Sequence, residues 1–171
     1  MTATPYPLCF RPILMPKVWG GRRLASFGKS LPEGQHIGES WEVADMPTTS
    51  AGGAGGGAQR SVISNGPLAG RTLADALNLW PGPMLGVARA PTQFPLLVKF
   101  LDAAENLSVQ VHPSPAYARA HADAHLKTEC WYILDAAPGS VIYKGVKPAV
   151  TPERFRAAIA DGSVGSLLLT P

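Results

Sequence analysis

The sequence predicts a mainly β fold of short strands joined by turns, with a few short helices beside them, and three observations predict it. Glycine (18) and proline (17) recur along the 171 residues and cut the chain into short elements. Several segments of strand length are rich in β-branched and aromatic residues, or alternate apolar with polar side chains. The helical patterns are few and short, and they carry their own caps. With 46% hydrophobic and 16% charged residues, the composition is that of a globular domain with a proper core, read as a single domain over residues 1–171.

Residues 8–46 contain short extended pieces separated by proline and glycine. In GESWEVAD a period of two puts Glu39, Trp41 and Val43 on one face of a strand, with Ser40 and Glu42 on the other. SAGGAGGGAQ, residues 50–59, is low in complexity and predicts a flexible surface loop inside the domain. TLADALNL, residues 72–79, predicts a short helix with Thr72 as N-cap, Asp75 at the capping-box position and WPGP to end it. FPLLVKFLD, residues 94–102, predicts a buried strand interrupted by one charge, Lys99.

NLSVQVHP, residues 106–113, alternates, so that Ser108, Gln110 and His112 share one face and Leu107, Val109 and Val111 the other. A helix is predicted over 115–124, capped by Ser114 with Pro115 in the first position. KTECWYIL, residues 127–134, predicts a further strand. TPERFRAAIADG, residues 151–162, has a Thr151 cap, Pro152 first, Glu153 in the first turn and Gly162 after the last. An apolar stretch, GSVGSLLLTP, follows it.

Charge and cysteines narrow the function classes. The net charge of +3 comes without a block of basic residues that would track a nucleic-acid backbone, so no nucleic-acid partner is predicted. No apolar run approaches a membrane span, and the N-terminus is broken by Pro5, Pro7, Arg11 and Pro12 where a signal peptide needs an unbroken apolar core. Cys9 and Cys130 form no CxxC or metal-finger spacing. A reducing, cytoplasmic location is the expectation.

The chemistry concentrates between Lys99 and Glu129. Lys127 and Glu129 share a face one short helix after the 106–113 strand, and a hairpin-like return would bring Glu129 opposite Gln110 or His112. Imidazole nitrogen, amide oxygen and carboxylate oxygen make a mixed donor set suited to a borderline ion such as zinc, with a position left open for catalysis. Lys99, inside LLVKFL, must either snorkel to the surface or meet an anion in a polar cavity. Two lysines and Ser108 beside a metal point to a phosphate-bearing substrate. Other signals are weaker. GKS at 28–30 lacks the glycine a P-loop needs five positions before Gly28, where Arg23 stands. His121 and His125 have no HExxH glutamate between them.

FPLLVKFLDAAENLSVQVHPSPAYA followed by LKTECWYIL resembles type I mannose-6-phosphate isomerase, a zinc enzyme of the cupin superfamily. The likeness extends upstream through GRTLADAL, GESWEVAD and PKVWGGRRL, and downstream through residues 152–168. The resemblance implies a cupin-type jelly-roll β-sandwich with flanking short helices, expected to be incomplete at the C-terminus. It also implies a zinc-dependent isomerase interconverting mannose 6-phosphate and fructose 6-phosphate, with a phosphorylated hexose as partner and one zinc ion as cofactor. Carried over by position, the metal ligands are Gln110, His112 and Glu129, and the substrate contacts are Lys99, Ser108 and Lys127, with Lys127 the named catalytic candidate. The family's fourth ligand, a histidine, and a catalytic arginine lie beyond the matched segment, and Arg154 and Arg156 do not correspond to the latter. A non-catalytic metal- or phosphosugar-binding cupin-like fragment is the alternative. The oligomeric state is left open.

Overall fold

Alternation and punctuation decide where the strands begin and stop. The computed structural model describes residues 4–49, 57–86, 92–121, 124 and 126–170. These fall into two compact units, divided between Gln110 and Val111.

In the N-terminal unit the strands are β1 (Phe10–Arg11), β2 (Ile13–Gly21), β3 (Ile37–Val43), β4 (Asp45–Thr49), β5 (Gly57–Arg60), β6 (Val62–Ile63) and β7 (Val98–Leu101). All pairings are antiparallel: β1 with β6, β4 with β5, and a three-stranded sheet in which β3 lies between β2 and β7. The fold is mainly β with short helices, as the sequence predicts.

Two apolar clusters hold this unit. Ile63, Leu68, Ala76 and Trp80 form one, with Tyr6, Leu8, Phe10 and Met84 packed on it. Met15, Trp41 and Ala44 form the other. Helix α1 (Leu73–Leu79) gives Ala76 to the first, and its buried Leu73, Ala76 and Leu77 fall on one face at helical spacing. Its capping box is complete: the Thr72 hydroxyl accepts from the Asp75 N–H, and the Asp75 carboxylate accepts from the Thr72 N–H at 2.8 Å. WPGP ends this helix as predicted, with Leu79 its last residue and Trp80 its C-cap. Proline suits a first helical turn, and a second short helix, α2 (Pro81–Leu85), starts there.

Strand β7 is shorter than predicted and is not buried. Among the described residues it pairs with β3 alone, which makes it an edge strand there and leaves Val98 exposed. Of the predicted loop at 50–59, residues 50–56 lie outside the described residues, while 57–59 belong to β5, which pairs with β4.

The C-terminal unit contains helices α3 (Pro115–Ala120) and α4 (Pro152–Asp161), then a 3-10 turn at Val164–Leu167. Each cap is the one predicted: Ser114 Oγ accepts from the Tyr117 N–H, and Thr151 Oγ1 from the Arg154 N–H. Gly162 closes α4 with φ +78°, a left-handed conformation that glycine adopts without a Cβ penalty. Helix α3 stops at Ala120 rather than at residue 124, and His121 is its C-cap. The apolar stretch after α4 is tied back by the Lys147 N–H to the Leu167 carbonyl and the Lys144 N–H to the Leu169 carbonyl.

Two predicted strands are absent. Residues 106–113 and 127–134 lie outside any strand, and no strand pairs with either among the described residues. Alternation tells which side chains would share a face, but only a neighbouring ladder makes a strand, and none is supplied here. Val111 and Tyr132 are accordingly 78% and 86% exposed.

Candidate functional site

On the central sheet the register sets Glu39 opposite Leu101 and Trp41 opposite Lys99, so that Glu39 and Lys99 are diagonal neighbours on one face. Lys99 Nζ donates to Glu39 Oε1 at 3.0 Å, and the Trp41 indole N–H donates to Glu39 Oε2 at 2.6 Å. The charge inside the apolar strand thus meets an anion, and that anion is a buried carboxylate of the chain itself. The opposite face carries Ser40 and Glu42, as predicted, and two contacts from elsewhere in the unit. Ser40 donates to Glu42 at 2.6 Å, Lys29 pairs with Glu42 at 2.7 Å, and the Lys29 ammonium sits over the Phe100 ring.

In the C-terminal unit the Glu129 carboxylate gathers two of the predicted residues. Its Oε2 lies 3.3 Å from His112 Nε2, and its Oε1 lies 2.7 Å from Lys127 Nζ. Lys127 and Glu129 are two apart in sequence, and residues at that spacing share a face when the chain is extended. One carboxylate therefore stands between an imidazole and an ammonium, a nitrogen and oxygen donor pair beside a fixed positive charge.

The six predicted site residues divide accordingly. His112, Lys127 and Glu129 come together in the C-terminal unit. Lys99 is held in the N-terminal unit by Glu39. Ser108 and Gln110 are exposed in the N-terminal unit, outside any strand, where a paired strand was predicted. Among the described residues no three His, Cys, Asp or Glu side chains gather as a metal-holding group. The predicted set holds only two of those types, with the Gln110 amide as its third donor. His121 stacks on Tyr117 at 3.8 Å between ring centroids, and its Nδ1 lies 2.9 Å from the Tyr117 carbonyl oxygen. His125 lies outside the described residues.

Glu39 is the site residue that sequence reasoning left on a strand face without a role. The available signal was Lys99 inside LLVKFL, a charge that requires an anion if buried; β3 offers two glutamates, Glu39 and Glu42, and the sequence alone does not choose between them. A cleft of about 290 Å³ in the same unit is walled by Tyr6, Phe10, Trp80, Met84 and other apolar groups, and among the described residues no carboxylate, imidazole or ammonium lines it.

Residues 10–136 match the family model described as phosphomannose isomerase type I, catalytic domain. Mannose-6-phosphate isomerase ManA of Bacillus subtilis (strain 168) is 39% identical over 172 residues, covering 96% of this chain and 48% of the relative. Probable mannose-6-phosphate isomerase GmuF of the same organism is 40% identical over 165 residues, covering 95% and 48%. The crystal structure of the Bacillus subtilis mannose 6-phosphate isomerase superposes with a TM-score of 0.78 at 33% identity, covering 96% of this chain and 49% of that one. The chain spans about half the length of the curated relatives it matches.

Proposed function

This chain belongs to the type I phosphomannose isomerase family, and from that premise we propose that it carries part of a zinc-dependent aldose–ketose isomerase interconverting mannose 6-phosphate and fructose 6-phosphate. The observation that carries the reading is the Glu129 carboxylate set between His112 and Lys127. His112 Nε2 and Glu129 Oε2 lie 3.3 Å apart, so an imidazole nitrogen and a carboxylate oxygen are side by side as two donors to one ion would be. His112, Glu129 and the Gln110 amide oxygen would hold one ion. When bound, zinc supplies Lewis-acid polarisation of the sugar's carbonyl and neighbouring hydroxyl oxygens.

The chain's own residues do the rest. The resemblance gives Lys99, Ser108 and Lys127 as the phosphate contacts, and binding energy from that remote group would position the reacting carbons. Isomerisation moves a proton from C2 of the aldose to C1 of the ketose, and Lys127 is the residue to which the reading gives that transfer. The family match runs from residue 10 to 136, across the division at Gln110, which supports reading both units as parts of one catalytic domain. A cytoplasmic location belongs to the same reading. Two exposed free cysteines support it, and no helix among the described residues is long and apolar enough to cross a membrane.

The test is metal analysis together with a coupled assay of sugar interconversion, both on the chain extended with its natural downstream sequence. One zinc per chain with turnover is expected of that protein. Zinc without turnover would favour a metal- or phosphosugar-binding module, and the absence of both would sink the reading.

A further inference from the structure

We infer that Glu39 is a positioning residue for Lys99, holding its ammonium so that an incoming phosphate meets a fixed cation; this rests on the phosphate-binding reading of Lys99 given above. A lysine on an edge strand has four flexible carbons and, left alone, would swing its head to water. Here the head is taken by one bond to Glu39, which leaves two of its three N–H donors for a ligand. The carboxylate is itself fixed, because the buried Trp41 indole donates to its other oxygen.

The two lysine–glutamate pairs of this sheet show which one is built to meet an anion. In the Lys29–Glu42 pair the lysine is the deeper partner, with side chains 14% and 25% exposed. The Phe100 ring covers its ammonium. In the Lys99–Glu39 pair the order reverses, at 21% and 10%. The carboxylate is sunk and the ammonium is the outward pole, with no aromatic ring over it among the described residues. An anion arriving at the sheet reaches Lys99 before it reaches Glu39. It finds the lysine already desolvated and oriented, which lowers the ordering cost of binding.

The experiment is amine acetylation of the full 171-residue chain, read lysine by lysine by mass spectrometry, with Lys29 as internal control. In Glu39→Gln the labelling of Lys99 relative to Lys29 should rise about tenfold, the worth of one hydrogen bond between charged groups. Glu39→Asp keeps the charge at a reach one methylene shorter and should fall between the two. Inorganic phosphate should slow Lys99 labelling in the parent chain, and Glu39→Gln should need about tenfold more phosphate for the same protection. An unchanged Lys99-to-Lys29 ratio, or an equal rise at both lysines, would overturn the inference and leave Glu39 a purely structural residue. A raised ratio with no phosphate protection even in the parent chain would support the hold on Lys99 and overturn the phosphate reading beneath it. If Glu39→Gln does not fold, Glu39→Asp and Trp41→Phe, which removes the indole donor, carry the same comparison.

Discussion

Replacing Lys99 with methionine leaves Glu39 sunk in the sheet without its cation, and the size of the penalty tests whether the pair works as a unit. Removing one partner of a fully buried pair costs about 3–5 kcal/mol, because the remaining charge is uncompensated. Glu39 is only 10% exposed at its side chain, but Lys99 is 21% exposed and Trp41 still donates to the carboxylate. The cost of Lys99→Met should therefore sit at the lower end, about 3 kcal/mol. Glu39→Gln is milder, since the amide oxygen still accepts from Trp41 and the lysine can turn to water; about 1 kcal/mol is expected. With both replaced, neither charge remains to be stranded. The double variant should then be about 2 kcal/mol less destabilised than the two single losses together. Urea unfolding followed by tryptophan fluorescence measures all four proteins, with Trp41 reporting from the site itself. Additivity within about 0.5 kcal/mol would refute the coupling, and with it the account of Glu39 as the counter-charge that lets a lysine occupy this strand.

Thr72→Ala should cost about 1 kcal/mol in thermal melts by removing half of the capping box. The Asp75 carboxyl is held below its ordinary value of 3.8 by the Thr72 backbone N–H and then by the Thr72 hydroxyl. A depressed folded value means that the contribution is present above the ordinary carboxylate range and is lost as pH falls below about 3.8. Thr72→Ala should accordingly flatten the acid limb of a melting-temperature profile. At the proposed metal site, His112→Ala and Glu129→Ala should each weaken zinc binding by more than the about 10–100-fold that loss of an outer-shell partner costs, measured by competition with a chelating dye. Gly38→Ala should destabilise by about 1–3 kcal/mol in urea, the usual cost of overpacking. Its Cβ would stand 2.6 Å from Lys17 Cβ and from the Trp19 ring.

The elements legible in the sequence are those whose signals are local. The caps of α1, α3 and α4 are side-chain-to-backbone bonds made within three residues, so Thr72, Ser114 and Thr151 announce them without reference to the rest of the fold. The two faces of β3 are legible for a similar reason. A two-residue spacing lets Glu39 meet Trp41 and Ser40 meet Glu42 within the strand itself, and each glutamate also takes a lysine from outside it. What a strand packs against is not local. Lys99 could be read as a charge requiring an anion, but Glu39 lies 60 residues away, and only the β3–β7 register joins them.

The 106–113 and 127–134 segments separate pattern from pairing more sharply. Both alternate or carry strand-forming residues, yet neither has a ladder among the described residues, because alternation costs nothing to write and pairing needs a partner. The side chains converge all the same. Lys127 and Glu129 meet at 2.7 Å, and His112 reaches the same carboxylate at 3.3 Å. A two-residue spacing places long side chains on one side of any extended stretch, and opposite charges then close the remaining distance. Convergence of this kind depends on charge as well as on geometry. It fits the pairing of Lys99 with Glu39 and of Lys127 and His112 with Glu129, whereas Ser108 and Gln110 carry no ionisable group that could draw them to a partner. The neutral donors are the part of the site whose placement a sheet ladder must supply, and the charged donors are the part that electrostatics can gather without one.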